Sequence, residues 1–366
     1  MTKTKIDIPF LISILILVIG GYRIFRSASL GLLSKQSLKY AGVAFNQTVF
    51  GLLLGSVACF IASKMGYKIY SEFAFYIFVG AAVLTLLVFV PGLGFAHGGA
   101  HRWIKLGGLS FQPSEFLKIG FIIFLSAWLA SVKDRVQKFK YGLLPFVVLI
   151  AITGIVLLLQ PDTDTFIITV FAGVAVYLAS GGQWKHILVL GICCVLGIGI
   201  LATQRPYVKA RINTFINPSQ DSLGSGYQIQ QSLIAVGSGG VFGRGFGQSI
   251  QKFNVLPEPI GDSIFAVASE EFGFVGATGI IVLFIFFTIR GLKIASKTPD
   301  SFGRLMVVGI VIMISSQAFV NIAAMVGILP LSGITLPFIS HGGTALFMTL
   351  AEVGIVLNIS KTTRKN

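Results

Sequence analysis

Residues 143–160 read LLPFVVLIAITGIVLLLQ, eighteen consecutive positions without a charged side chain. A stretch of that length and composition fits a helix that crosses a lipid bilayer, because about 20 residues rising 1.5 Å each span the hydrocarbon layer. Similar runs, bounded by charged or Gly/Pro-rich segments, fall near 8–25, 47–63, 72–90, 114–132, 165–180, 186–203, 268–289, 304–328 and 343–359. Together they make ten spans, which use roughly 200 of the 366 positions. The whole chain agrees with this solvent: 54% of its residues are hydrophobic and only 11% charged, outside the range of a soluble domain. The expected fold is therefore all-α, a single polytopic membrane domain over residues 1–366 with about ten transmembrane helices.

The first run, with Lys3 and Lys5 before it and Ser27-Ala28-Ser29 after it, has the outline of a signal peptide. Arg23 and Arg26 intervene, so it is read as a retained helix. Cys59, Cys193 and Cys194 all lie inside apolar runs, which offers neither a disulfide framework nor a metal-ligand spacing. His97 and His101 are four apart but lack the glutamate of a zincin, and Gly98-Gly99 opposes a helix there, so no metal site is assigned. A net charge of +15 would suit nucleic acid, yet the basic residues are dispersed between apolar runs, which points to anionic membrane lipid and not to nucleic acid.

An even number of spans puts both termini on one side. Short segments on the terminal side carry 16 Lys and Arg residues, whereas the opposite short loops carry six: Arg23, Arg26, Lys35, Lys39, Arg102 and Lys105. Basic residues collect on the cytoplasmic side, so both termini are expected there. The long segment 204–262, between the seventh and eighth helices, is then extracytoplasmic. It is too short and too rich in Gly, Ser and Gln to be a separate domain, and its Gly237 to Gly247 portion reads as a flexible loop without the Gly-Lys-Ser/Thr ending of a phosphate loop.

Four polar, Gly/Pro-rich clusters fall on that outer face, at 98–115, 160–162, 256–262 and 336–343. Eight strings stand out along the chain: Gly99-Ala100-His101-Arg102-Trp103, Phe111-Gln112-Pro113-Ser114-Glu115, Gln160-Pro161-Asp162, Gly226-Tyr227-Gln228, Leu256-Pro257-Glu258, Asp262 with Ile264-Phe265-Ala266, Glu270-Glu271-Phe272-Gly273, and Leu336-Pro337-Phe338-Ile339-Ser340 with Gly342-Gly343. In order and spacing these strings, spread over nearly the whole chain, resemble the SEDS family (FtsW, RodA, SpoVE) of peptidoglycan glycosyltransferases. Asn358-Ile359-Ser360 is closer to the FtsW branch.

The resemblance implies a bacterial cytoplasmic-membrane enzyme that polymerises lipid II into glycan strands, partnered by a class B penicillin-binding transpeptidase. It implies a catalytic aspartate in a segment usually written with His-Thr before Asp-Phe-Ile-Phe-Ala. Here that segment is Pro259-Ile260-Gly261-Asp262-Ser263-Ile264-Phe265-Ala266, so the aspartate is kept while its neighbours differ. Asp164 also departs from the family's usual glycine two residues after the aspartate of Gln-Pro-Asp.

The chemistry is consistent with that role. Glycosyl transfer from a pyrophosphate donor needs one base for the attacking hydroxyl and cations for the leaving group, unlike the paired carboxylates of glycoside hydrolases. Asp262 is the candidate base, and Arg102, Arg205, Lys209, Arg211, Arg244 and Lys252 are the outer-face cations. No cofactor is required, a divalent cation being the one candidate. Glu115 and Lys118 share a helix face at membrane depth and are expected to pair, lining the substrate cavity together with Ser340. Gln112, Asp162, Glu258, Glu270 and Glu271 are assigned supporting places; the last two are adjacent and point about 100° apart, so they cannot both face the site. The competing function is a flippase or transporter of lipid-linked precursors, which would need a polar route to the cytoplasmic side.

Overall fold

The computed structural model describes residues 6–35, 37–97, 100–106, 109–192, 213–216, 224–253 and 255–363. Six of its helices are long and apolar enough to cross a membrane: α1 (Ile8–Ser34), α2 (Tyr40–Lys64), α4 (Ser114–Gln137), α8 (Ile264–Lys297), α9 (Ser301–Met325) and α10 (Gly343–Ser360). Three shorter apolar helices accompany them, α3 (Ala74–Phe89), α5 (Leu143–Leu159) and α6 (Thr163–Ala179). These nine coincide with nine of the expected spans. The seventh, near 186–203, lies largely outside the described residues, as do Arg205, Lys209, Arg211, Cys193 and Cys194.

The expected all-α bundle carries one addition. Between α3 and α4 the chain forms a three-stranded antiparallel sheet, β1 (Gly94–His97), β2 (Ala100–Leu106) and β3 (Leu109–Phe111). In β2 the buried Ile104 lies between the less buried Trp103 and Lys105, the alternation of a half-covered strand, and the glycines of the surrounding sequence gave it a loop-like composition. The long outer segment also contains a helix, α7 (Ser225–Ser238), which packs against α8 and α9.

Burial separates the helices into centre and rim. In α9 and α10, 72% and 83% of the apolar window is enclosed by protein, against 17% in α2 and α8, so the first pair forms the middle of the bundle. Val275, Val282, Phe286 and Ile289 leave α8 with an apolar outer side suited to lipid. Where α2 crosses α10, small residues bring the backbones together: a Cβ on Gly354 would stand 2.4 Å from the Cys59 carbonyl oxygen. Just above that crossing α2 winds as a π-helix over Asn46–Leu54, which turns Gln47 inward.

The two ends of the bundle differ in chemistry. At one end Arg290 grips Asp7 (2.8 Å), whose backbone N–H donates to Ser360 Oγ (3.2 Å), so the beginning and end of the described chain sit together. The other end gathers the prolines, strands and carboxylates of the outer segments.

Candidate active site

Asp262 sits in a turn shaped by Leu256-Pro257-Glu258-Pro259. The Glu258 carbonyl accepts from the N–H groups of Gly261 (3.0 Å) and Ser263 (3.3 Å), and Glu258 itself adopts a left-handed backbone with φ 44°. A non-glycine residue in that region is uncommon and persists where its surroundings enforce it. Asp262 ends the turn one residue before the N-cap of α8.

Three other segments hold this turn, and a fourth supports one of them. From α7, Gln228 Nε2 donates to Asp262 Oδ1 (3.1 Å) and to Ser263 Oγ (2.9 Å). From α9, Asn321 Nδ2 donates to the carbonyls of Asp262 (2.8 Å) and Ile334 (2.7 Å). From the segment before α10, Ser340 Oγ donates to the Gly261 carbonyl (2.7 Å) and accepts from Leu336 N–H (2.8 Å). His341 N–H donates to Ile260 O (2.7 Å). Gln47 supports this second segment in turn, donating to Ser340 O (3.1 Å) and accepting from Gly342 N–H (2.9 Å). Burial raises the Asp262 carboxyl to about 7; the Gln228 bond pulls it back and the Glu258 charge adds to the rise. Asp262 stays partly exposed.

Glu115 and Lys118 do pair, Nζ to Oε2 at 3.0 Å, on α4 and deep in the bundle. Lys118 Nζ also donates to Gln317 Oε1 (3.0 Å), and Gln317 Nε2 to Thr335 O (3.1 Å), which ties the pair to the segment that carries Ser340. A third buried ionisable residue, Glu352 on α10, lies within electrostatic reach of both. The sequence offered a signal for it: a lone acid in an otherwise apolar span is expensive and seldom incidental.

Asp162 belongs to a neighbouring cluster. Its Oδ2 accepts from Ser114 Oγ (3.2 Å) and Gln112 Nε2 (3.4 Å), while Arg102 stands 3.9 Å from Oδ1. Arg102 also donates to the carbonyls of Gln160 (3.2 Å) and Pro161, so its guanidinium clasps the Gln160-Pro161-Asp162 corner. Gln112 N–H reaches Thr344 Oγ1 (3.3 Å) at the head of α10. Asp164, at the position of the family's glycine, is buried in the first turn of α6.

The adjacent glutamates of α8 diverge as their spacing requires, each to its own cation. Glu270 accepts from Ser249 Oγ (2.6 Å) and Ile250 N–H (3.1 Å), with Arg244 Nε at 3.3 Å. Glu271 accepts from Lys252 Nζ (2.7 Å) and Ser27 Oγ (2.6 Å). The fully enclosed Lys252 directs its other donors to Ser27 Oγ (3.0 Å) and Gly247 O (2.8 Å), leaving none for an outside phosphate. Arg244 keeps more than a third of its side chain exposed.

Helix α8 is interrupted beside these residues. Gly273 has φ 65°, and the residues 240–245 fill the break: Arg244 and Gly245 N–H donate to the carbonyls of Glu270 and Glu271 (both 3.0 Å), while Phe274 N–H donates to Gly240 O (2.8 Å). The stretch read as a flexible loop is thus hydrogen-bonded into a membrane helix. A Cβ on Gly273 would lie 2.3 Å from Gly243 N, and one on Gly243 would lie 2.1 Å from Glu271 O, so both positions require glycine.

The fold and this end of the bundle define a multi-pass membrane protein that presents one partly exposed carboxylate within a frame of amides and carbonyls. The family model of FtsW/RodA/SpoVE cell cycle proteins matches residues 8–365, and the chain belongs to that family. It is 36% identical to stage V sporulation protein E of Bacillus subtilis (strain 168), over 99% of both chains. It is 38% identical to a probable peptidoglycan glycosyltransferase FtsW of Geobacter sp. (strain M18), over 85% of each. Among solved structures it resembles a peptidoglycan synthase complex that coordinates polymerization and crosslinking, with TM-score 0.80, 26% identity and 97% coverage of both chains. It also resembles the rod shape determining protein RodA of Thermus thermophilus, with TM-score 0.70, 26% identity and coverage of 99% and 98%.

Proposed function

We propose that the chain is a peptidoglycan glycosyltransferase of bacterial cell-wall synthesis that polymerises lipid II, with Asp262 as its general base. The carrying observation is the Asp262 carboxylate itself: partly exposed, oriented by Gln228, and raised to about 7, where a base is both deprotonated and strong enough to accept a proton. Asp262 takes the proton of the acceptor's sugar hydroxyl as that oxygen bonds to the donor's anomeric carbon. The bond from that carbon to the pyrophosphate breaks, and the pyrophosphate departs with the electron pair and the configuration inverted. Arg244, exposed although it stands beside Glu270, is one described outer cation that can meet that charge.

The test is polymerisation of lipid II by reconstituted protein. Asp262→Asn keeps shape but removes basicity, so the rate should fall roughly 10²-fold or more with folding intact. Glycan made by the Asn variant at near the parent rate would discard Asp262 as the base.

A transpeptidase partner is supported by the resemblance to the synthase complex, and its class B type is part of the same proposal. We infer that both termini are cytoplasmic, a reading supported by the 16-to-6 basic asymmetry. In intact cells an impermeant thiol reagent should therefore leave Lys138→Cys unlabelled and label Ser219→Cys; the reverse pattern would invert the topology.

A further inference from the structure

A groove of about 870 Å³ runs between α1 and α8. Part of its surface is bare backbone: a Cβ added at Gly20 or Gly279 would meet no atom within 4 Å. Ile24, Leu283 and Ile339 make the lining apolar. Arg23 and Arg26 also line it, three residues apart and therefore on the same side of α1, and both are exposed. Among the described residues neither guanidinium group has a hydrogen-bond or ion-pair partner. Two exposed guanidinium groups at the edge of an apolar groove leave their donors available to an anion seated there.

The groove shares a wall with the frame of Asp262. Ile339, part of the lining, precedes Ser340, which donates to the Gly261 carbonyl. Helix α1 is pressed against that wall: a Cβ on Gly21 would lie 2.4 Å from Phe338 O, and the Phe25 ring stacks on His341 with centroids 5.9 Å apart. Ten residues further along, a Cβ on Gly31 would lie 2.1 Å from Lys252 O, so α1 abuts the glutamate cluster too. The arginines lie between these two contacts.

From this placement we propose that the groove between α1 and α8 holds the chain of a polyprenyl pyrophosphate, with Arg23 and Arg26 on its phosphates. The identity of the lipid rests on the glycosyltransferase reading; the site itself rests on the groove and its arginines. A pyrophosphate suits two adjacent guanidinium groups better than a single phosphodiester does, because each can take a phosphate through paired N–H donors. The shared wall with the Asp262 frame also favours the reaction's own carrier over bulk phospholipid.

The test is binding of labelled undecaprenyl pyrophosphate to the full-length protein in nanodiscs, with phosphatidylglycerol as competitor, alongside polymerisation of lipid II. Arg23→Gln with Arg26→Gln should raise Kd about 10-fold or more by removing two charge-assisted contacts. Gly279→Leu, which fills the groove without striking the fold, should weaken chain binding, while Asp262→Asn should bind as the parent does. Parent-like affinity in both the double arginine variant and Gly279→Leu would overturn the proposal, as would equal competition by phosphatidylglycerol, which would make this a phospholipid site. Variants that bind lipid normally but lose their transpeptidase partner would overturn it in favour of a helix-docking face. If the parent polymerises lipid II while binding is indifferent to all these changes, the groove assignment alone fails. Arginine-dependent binding without any polymerisation would instead keep the site and remove the glycosyltransferase reading.

Discussion

The amide of Gln228 bonds Asp262 Oδ1 at 3.1 Å and Ser263 Oγ at 2.9 Å, so one side chain of the outer helix α7 holds both the carboxylate and the residue that opens α8. This contact also draws the carboxyl back toward its charged form, against the larger rise that burial imposes. If Asp262 is the general base proposed above, activity should rise with pH through an apparent pKa near 7. Gln228→Leu removes a bond that favours the charged form and should move that limb to higher pH. Glu258→Gln removes a like charge and should move it to lower pH. Rate–pH profiles of the two variants check both directions; limbs that coincide with the parent's would detach the titration from Asp262.

Asn321 supplies the backbone half of the same frame. In Asn321→Leu the carbonyls of Asp262 and Ile334 lose their shared donor, at a cost of about 1–3 kcal/mol for a buried group left unpaired. The turn should shift, and the turnover rate should drop roughly 10-fold through lost positioning. Because the carboxylate keeps Gln228 and Glu258 beside it, the pH limb should stay in place, a combination that steady-state kinetics at several pH values can read.

Around Lys118 two carboxylates face one ammonium. Lys118→Met would strand both acids in the bundle and should cost roughly 3–5 kcal/mol, whereas Glu352→Gln leaves a neutral pair and should stay within about 1 kcal/mol. Thermal unfolding of the purified variants decides between them. A larger loss from Glu352→Gln than from Lys118→Met would show that Glu352, not the ammonium, organises the cluster.

At the break in α8, Gly273→Ala places a methyl group in a left-handed conformation 2.3 Å from Gly243 N. The expected loss is about 2–4 kcal/mol, visible as a lower melting temperature. Gly279→Ala, six residues along the same helix with open space at its Cβ, is the control and should melt with the parent.

Most of the bundle was legible because a span's length and apolarity are local properties of the chain: LLPFVVLIAITGIVLLLQ became α5 almost residue for residue. The Glu115–Lys118 pair was legible for the same reason, since three residues along a helix fix a shared face. The partners of Asp262 were not. Gln228 and Asn321, which meet Asp262, Ser340, which meets the neighbouring Gly261, and Gln47 behind Ser340 come from four separated segments, and only their packing shows which group meets which carbonyl. Lys252 and Arg244 were counted as free cations because sequence records a charge but not the glutamate that faces it. The sheet at 94–111 was obscured by its glycines, which read as loop whatever the strands between them do.

The interruption at Gly273 changes what kind of variation the chain tolerates. A run such as Gly237 to Gly247 would ordinarily be the place where insertions and deletions accumulate, since a surface loop grows at little entropic cost. Here its N–H and carbonyl groups complete the hydrogen bonding of α8, so its length is set by the gap it fills. One extra residue would move every donor past its acceptor and leave the broken turn of a membrane helix open. The segment with the freest composition in the protein is held to a fixed measure by the helix beneath it.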